Sequence, residues 1–108
     1  MIAGQVTANR QALIPLEVYG PSGQKEDVSA IVDTGFTEAL TLSSTTIGNL
    51  ALTYQYDTVM VLGDGNSVQM SAYKGTVIWD GQPQTVLVYE SDATLVGMSL
   101  LYGFKLKQ

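Results

Sequence analysis

Short segments of alternating apolar and polar residues run through most of the chain. In Leu13–Tyr19, the side chains of Ile14, Leu16 and Val18 fall on one face, which is the two-residue period of a half-buried β-strand. Val28–Val32 is a second apolar segment, and a Gly- and Pro-containing turn sequence separates the two. The first third of the chain therefore predicts a β-hairpin.

The rest of the chain continues this pattern and shows little helical periodicity. Six further strands are predicted, at residues 52–62, 67–73, 75–79, 85–89, 95–97 and 104–106. Tight-turn sequences at 63–66 and 80–83 separate two pairs of these strands, so we expect two more hairpins.

Helical signals are confined to two short stretches. Ser43 or Ser44 can cap one short helix, while Gly48 and several Thr residues argue against a long one. Residues 99–102 predict a single helical turn. We therefore predict one all-β domain over residues 1–108, built as a small sandwich or barrel with one or two short helices.

The composition favours a folded protein and narrows its chemistry. Hydrophobic residues make up 45% of the chain and charged residues 14%, whereas disordered chains show the opposite balance. The absence of Cys and His excludes disulfides, thiol chemistry, Ser-His catalysis and typical zinc sites. Any acid–base catalysis must come from Asp, Glu, Tyr or Lys, and we expect neither a metal nor a cofactor.

The charge pattern bears on partners and location. The net charge of −5 and the scattered basic residues disfavour nucleic acid as a partner, because the phosphate backbone rewards clustered Lys and Arg. No apolar run has the length of a membrane span, and residues 1–10 lack the pattern of a signal peptide. We therefore expect a cytoplasmic protein with no membrane partner.

One tripeptide stands out as a candidate for chemistry. Asp33, Thr34 and Gly35 directly follow the apolar residues 30–32, so a carboxylate emerges where a buried strand enters a turn. An ionised carboxylate in that position is costly unless it is hydrogen-bonded or has a function. The residues alone also allow a simpler interpretation, in which Asp33 only bonds the backbone N–H groups of a turn.

The order of several features resembles the retropepsin-like, single-domain aspartic proteases, and is most similar to bacterial and archaeal members. Segment 31–35 resembles their catalytic loop, and the turn at 63–65 falls near their flap tip. The hairpin at 75–89 resembles the one that follows the flap, and 95–101 resembles their apolar-apolar-Gly motif and short helix. The resemblance implies a closed, retropepsin-like β-barrel that is active as a homodimer.

The resemblance also implies roles for the residues of the loop. Asp33 would be the catalytic carboxylate, and the Thr34 hydroxyl would bond across the dimer axis to the partner loop. Gly35 would allow the tight turn, and Phe36 would border the substrate cleft, where many relatives carry a smaller residue. Gly97 would let the short helix pack close behind the loop.

Three further residues would form the flexible flap over a bound peptide: Gly63, Asp64 and Gly65. By itself, Asp64 is explained by the tolerance of Asp for tight turns.

The resemblance makes dimerisation a chemical requirement. Peptide hydrolysis by this family takes two carboxylates, and the chain contains no second Asp-Thr-Gly or Asp-Ser-Gly. A two-fold axis would place Asp33 beside its own copy, and the two carboxylates would share one proton. The predicted function is hydrolysis of peptide or protein substrates by an aspartic endopeptidase, with an acidic to mildly acidic optimum.

Two other functions stay open at this level. Ser99 stands where many relatives carry Asp or Asn, so the fold could serve as a peptide-binding or dimerisation module with little or no catalysis. The chain could also be an unrelated β-sandwich in which Asp-Thr-Gly is only a turn. Peptide cleavage by an Asp33→Asn variant would distinguish the protease from the non-catalytic module. The fold distinguishes both from an unrelated β-sandwich.

Overall fold

The computed structural model describes residues 5–6, 12–61 and 64–101 of the chain. Its strands and helix, in chain order, are β1 (Gln5–Val6), β2 (Ala12–Tyr19), β3 (Lys25–Val32), β4 (Leu40–Leu42), α1 (Ser44–Leu50), β5 (Thr53–Val61), β6 (Ser67–Trp79), β7 (Gln82–Glu90) and β8 (Leu95–Val96). A single helical turn covers residues 98–101. The predicted all-β class with short helices is confirmed, and the strand predicted at 104–106 lies outside the described residues.

The strands form one sheet that closes on itself. Its order is β1-β2-β3-β8-β4-β7-β6-β5, and an additional pairing of β2 with β6 closes the sheet into a ring. Most pairs are antiparallel, but β3 pairs parallel with β8 and β4 pairs parallel with β7. The closure leaves β5 and the adjoining half of β6 projecting from the ring as a two-stranded arm.

The two predicted strands at 67–73 and 75–79 are in fact one strand, β6, of 13 residues. Gly75 does not interrupt it and pairs with Val86 in the ladder to β7, while the side chains of Val88 and Leu52 pack over its backbone. A Cβ at Gly75 would lie 3.3 Å from Val88 Cγ2 and 3.4 Å from a Leu52 methyl. The glycine therefore marks a close side-chain approach and not a turn, a distinction that local sequence does not carry.

The hairpin between β6 and β7 is tighter than predicted. Trp79 pairs directly with Gln82, so only Asp80 and Gly81 form the loop. Both have positive φ, of 52° and 79°, as the two-residue turn that matches strand twist requires. The prediction that the loop extends over 80–83 was wrong, because Gln82 and Pro83 already belong to the ladder of β7.

A compact apolar core fills the ring. The fully buried side chains include Leu40, Leu42, Val77, Val88 and Val96, which come from four different strands. The short helix closes one end of the core by burying Ile47 and Leu50. Its start was predicted correctly: the Ser43 hydroxyl accepts a bond from the Thr46 N–H at 3.3 Å.

Candidate active site

Asp33 lies at the end of the parallel pair formed by β3 and β8. Ile31 pairs with Leu95 and Val32 with Val96, so both strands end side by side. The Asp33 N–H continues this ladder by donating to the Val96 carbonyl at 3.0 Å. Because the hydrogen bonds between the two strands fix its backbone, the carboxyl group projects from a rigid base, as a preorganised group requires.

A backbone amide of its own loop holds the Asp33 carboxylate. Its Oδ1 accepts a hydrogen bond from the Gly35 N–H at 2.9 Å, and the Phe36 N–H donates to the Asp33 carbonyl at 3.1 Å. The turn contact expected from the residues alone is therefore present. It engages one carboxylate oxygen, while Asp33 stays partly accessible and both Thr34 and Gly35 are exposed in the single chain.

The segment after β8 braces the other side of this loop. Three consecutive amides, at residues 97–99, donate to the carbonyls of Ala39, Phe36 and Glu38, at 2.9, 2.8 and 3.3 Å respectively. A Cβ at Gly97 would collide with the Phe36 ring edge and with the Glu38 carbonyl oxygen. The close packing expected at Gly97 is thus observed, and it fixes residues 36–39, the part of the loop that follows Asp33.

A cleft of about 670 Å³ opens in front of Asp33. Its lining comprises Asp33, Gly35, Phe36, Thr37, Thr41, Ser44, Met60, Val61, Val68, Gln69, Met70, Glu90, Ser91, Asp92 and Leu95. The loop, the end of β7 and the β5–β6 arm therefore surround one open space. Phe36 contributes to this lining.

The three residues predicted to form a flap lie between β5 and β6 in the chain. Val61 pairs with Ser67 at the end of the β5–β6 arm, and Gly63 lies outside the described residues. Asp64 Oδ1 accepts from the Asn66 N–H at 2.9 Å, and Gly65 has a φ of 88°, so both residues act locally as turn formers. Asp64 and Gly65 do not line the cleft. The arm contributes five other residues to the lining: Met60, Val61, Val68, Gln69 and Met70.

Sequence reasoning missed several cleft residues. Four of them have no role in the sequence-based predictions although they line the cleft: Met60, Met70, Glu90 and Asp92. The two Met residues lie on the two strands of one predicted hairpin, and this shared position is a signal in the sequence that they could line the same surface. Glu90 follows from the parallel pairing of β4 with β7, in which Leu42 opposes Glu90, and that pairing has no local signature.

Thr41 holds the segment that enters β8. Its side chain is buried, its Oγ1 donates to the Ala93 carbonyl at 2.7 Å, and it accepts from the Leu95 N–H at 2.9 Å. One hydroxyl therefore satisfies two backbone groups directly before the strand that pairs with the Asp33 strand. A buried hydroxyl with both bonds made contributes more than the packing of its methyl group.

We expect Thr41→Val to lower the free energy of unfolding by about 1–3 kcal/mol, because it leaves the Ala93 carbonyl and the Leu95 amide without this partner. Urea unfolding measures the change. The same substitution at the exposed Thr85 is the control, and we expect a change within about 0.5 kcal/mol there. Equal effects at both positions would show that the Thr41 bonds carry no net stability.

The described residues offer no metal site: within them, no group of three or more acidic side chains is placed to hold an ion. None of the helical segments in the described ranges has the length and apolarity that a membrane crossing requires.

Comparison with solved structures identifies the fold. The chain is similar to EIAV protease complexed with the inhibitor HBY-793, with a TM-score of 0.70 and 15% sequence identity over 94% of each chain. No family model matches the chain, and no curated protein matches it. The predicted retropepsin-like fold is confirmed, and the unrelated β-sandwich is ruled out. The comparisons give no support for placing the chain with bacterial or archaeal members.

Proposed function

We propose that residues 1–108 form one aspartic protease domain that hydrolyses peptide bonds as a homodimer. The observation that carries this proposal is the position of Asp33, which projects from the end of two paired strands into an open cleft. The fold shared with EIAV protease supports it. Asp33 would be the catalytic carboxylate of each subunit, with Thr34 and Gly35 supporting the loop.

Exposure of the loop supports a symmetric assembly. Thr34 and Gly35 are exposed in the single chain although their neighbours on both sides are partly covered. The chain has one Asp-Thr-Gly, and in this proposal the second catalytic carboxylate comes from another copy of the chain. A two-fold axis through the exposed loop would bring the two Asp33 side chains together and would let Thr34 contact the partner loop.

The chemistry then needs no covalent intermediate. Two adjacent carboxylates cannot easily both ionise and share one proton, an effect for which aspartic proteases are the standard example. The ionised carboxylate takes a proton from water as the water oxygen attacks the peptide carbon. The protonated carboxyl gives its proton to the carbonyl oxygen. Collapse of the resulting diol, with a proton passed to the amide nitrogen, breaks the C–N bond.

In this proposal the cleft holds an extended peptide between the loop and the β5–β6 arm. Turn residues Gly63, Asp64 and Gly65 would act as the flap tip and exchange backbone bonds with the peptide, as an added strand does. The cleft lining is mixed, and the Met60, Met70 and Phe36 side chains supply apolar surface within it. That apolar surface favours substrates with apolar side chains next to the cleaved bond.

We expect the purified protein to cleave peptides at acidic pH, with a rate per chain that falls on dilution because the dyad exists only in the dimer. The measurement is initial rate against protein concentration, with sedimentation giving the dimer fraction over the same range. A hydroxyl-containing transition-state mimic should bind far more tightly than substrate and stop the reaction. A rate per chain that is independent of dilution in a monomeric sample would rule out the shared dyad.

A further inference from the structure

Two phenol rings from different strands meet over one small residue at the base of the β5–β6 arm. Tyr56 on β5 and Tyr89 on β7 both oppose Ala72 on β6. Directly opposed residues project from the same face of a sheet. Ala72 is fully buried, and its methyl group leaves space for the two hydroxyls to approach above it.

A bulge in β5 is the reason that Tyr56 faces this way. The register shifts between Tyr54 and Tyr56, so that Tyr54 opposes Tyr73 and Tyr56 opposes the next residue, Ala72. Tyr54 and Tyr73 pack edge to face on the other side of the arm, with ring centroids 5.7 Å apart. Without the extra residue, Gln55, the alternation of side chains would turn Tyr56 to that side as well.

Tyr89 connects this arm to the loop that carries Asp33. Its hydroxyl donates to Glu38 Oε1 at 3.2 Å and lies 3.4 Å from the Tyr56 hydroxyl. Glu38 lies in the part of the loop that follows Asp33, and its carbonyl accepts a hydrogen bond from the Ser99 N–H. The contacts therefore run from the projecting arm, through a buried hydroxyl, to a residue five positions after Asp33.

The protonated form of the Tyr89 hydroxyl is suited to bridging Tyr56 and Glu38. Burial first, and then the neighbouring Tyr56 and Glu38, raise the pKa of Tyr89 above its ordinary value, so the hydroxyl keeps its proton. Both oxygen–oxygen distances exceed the roughly 2.7–2.8 Å that is typical of O–H···O bonds. The bridge can therefore shorten when the arm moves towards the loop, as hydrogen bonds at active sites often do on binding.

We propose that the Tyr89 hydroxyl is a positioning group that links the β5–β6 arm to the loop carrying Asp33. Through this link, closure of the arm on a peptide fixes the position of the loop. The role rests on the proposed protease function for its catalytic readout. The link itself is a contact network that can be measured without activity.

The test removes one hydroxyl at a time. In Tyr89→Phe and in Tyr56→Phe, we expect kcat to fall about three- to tenfold, the rate equivalent of one hydrogen bond of ordinary strength, with a smaller change in KM. The double variant should be no slower than either single one, because both remove the same link. Tyr54→Phe, on the opposite face of the same arm, is the matched control and should keep its kcat.

Hydrogen–deuterium exchange gives the readout that needs no activity. Tyr89→Phe and Tyr56→Phe should each speed exchange both in β5 and in residues 33–38, whereas Tyr54→Phe should leave 33–38 unchanged. Tyr56 is 43% exposed, so its variant remains informative if the buried Tyr89→Phe protein is too unstable to use.

The outcomes separate the two proposals. A wild-type protein that cleaves nothing, with coupled exchange in the variants, would reject the protease function and keep the link. Rate losses that multiply in the double variant, or exchange that rises in β5 alone, would overturn the positioning role of Tyr89 while leaving the protease function intact.

Discussion

Asp33→Asn is expected to abolish peptide cleavage while the protein stays folded and dimeric. General acid–base catalysis by a positioned side chain contributes roughly a hundredfold to ten-thousandfold to a rate, and this substitution removes it from both subunits at once. The Asn side chain has nearly the same shape, and its Oδ1 can still accept the Gly35 N–H bond. Steady-state hydrolysis at acidic pH measures the activity.

Stability separates loss of chemistry from loss of structure in this experiment. A hydrogen bond to a neutral acceptor is weaker than one to a carboxylate, so we expect Asp33→Asn to change the free energy of unfolding by only about 1 kcal/mol. Asp27→Asn is the matched control, because Asp27 is a strand residue with a side chain that is 77% exposed. The control should retain full activity and dimerisation.

Two results would contradict the proposed mechanism in different ways. Undiminished cleavage by Asp33→Asn would show that another group activates the water. If neither protein cleaves any peptide, but both bind peptides in the cleft, the chain is a binding module that keeps the fold. Mixed dimers add a sharper test, since one wild-type and one Asn subunit together contain half of the dyad and should be as inactive as the double-Asn dimer.

The position of the loop that carries Asp33 could be predicted from sequence because its signals are local. An apolar strand, a carboxylate and a glycine follow each other within residues 30–35, and a second apolar pair with a glycine recurs at 95–97. The structure joins these two segments as parallel neighbours through the pairs Ile31–Leu95 and Val32–Val96. Each of the two segments has its own recognisable residue pattern, so both could be identified before their pairing was known.

The contacts behind the loop could not be predicted in the same way. Tyr56 and Tyr89 are 33 residues apart, and they share a face only because of the bulge at Gln55. A bulge shifts the alternation by one residue and leaves little trace in composition. Composition and alternation therefore do not distinguish Tyr56 or Glu38 from other residues of the chain, although both contact the buried Tyr89 hydroxyl.

Gly97→Ala is expected to be strongly destabilising, for a reason that is steric and not torsional. Gly97 does not have a positive φ, so alanine can adopt its backbone conformation. Its Cβ, however, would overlap the Glu38 carbonyl oxygen and would lie 2.5 Å from the Phe36 carbonyl oxygen and from a ring carbon. Two of these atoms are backbone atoms that are already hydrogen-bonded to residues 98 and 99, so they cannot move independently.

The cost follows from what must shift. Overpacking typically costs about 1–3 kcal/mol, and we expect the upper end or more because backbone has to move. A domain of this size has a total stability of roughly 5–15 kcal/mol, so the change would take a large part of it. Urea unfolding measures the loss, and cleavage should fall with it, since the displaced atoms belong to the loop that carries Asp33.

The same substitution at Gly48 is a control with the opposite expected sign. Gly48 lies on the exposed side of α1, and among the described residues nothing beyond its own helix backbone and chain neighbours lies within 4 Å of where an alanine methyl would sit. Replacing a helical glycine by alanine there should raise the free energy of unfolding by about 0.5–1 kcal/mol. If Gly97→Ala proved as stable as Gly48→Ala, the segment after β8 would have to lie farther from the loop. The three amide hydrogen bonds at residues 97–99 could then not hold Asp33 in place.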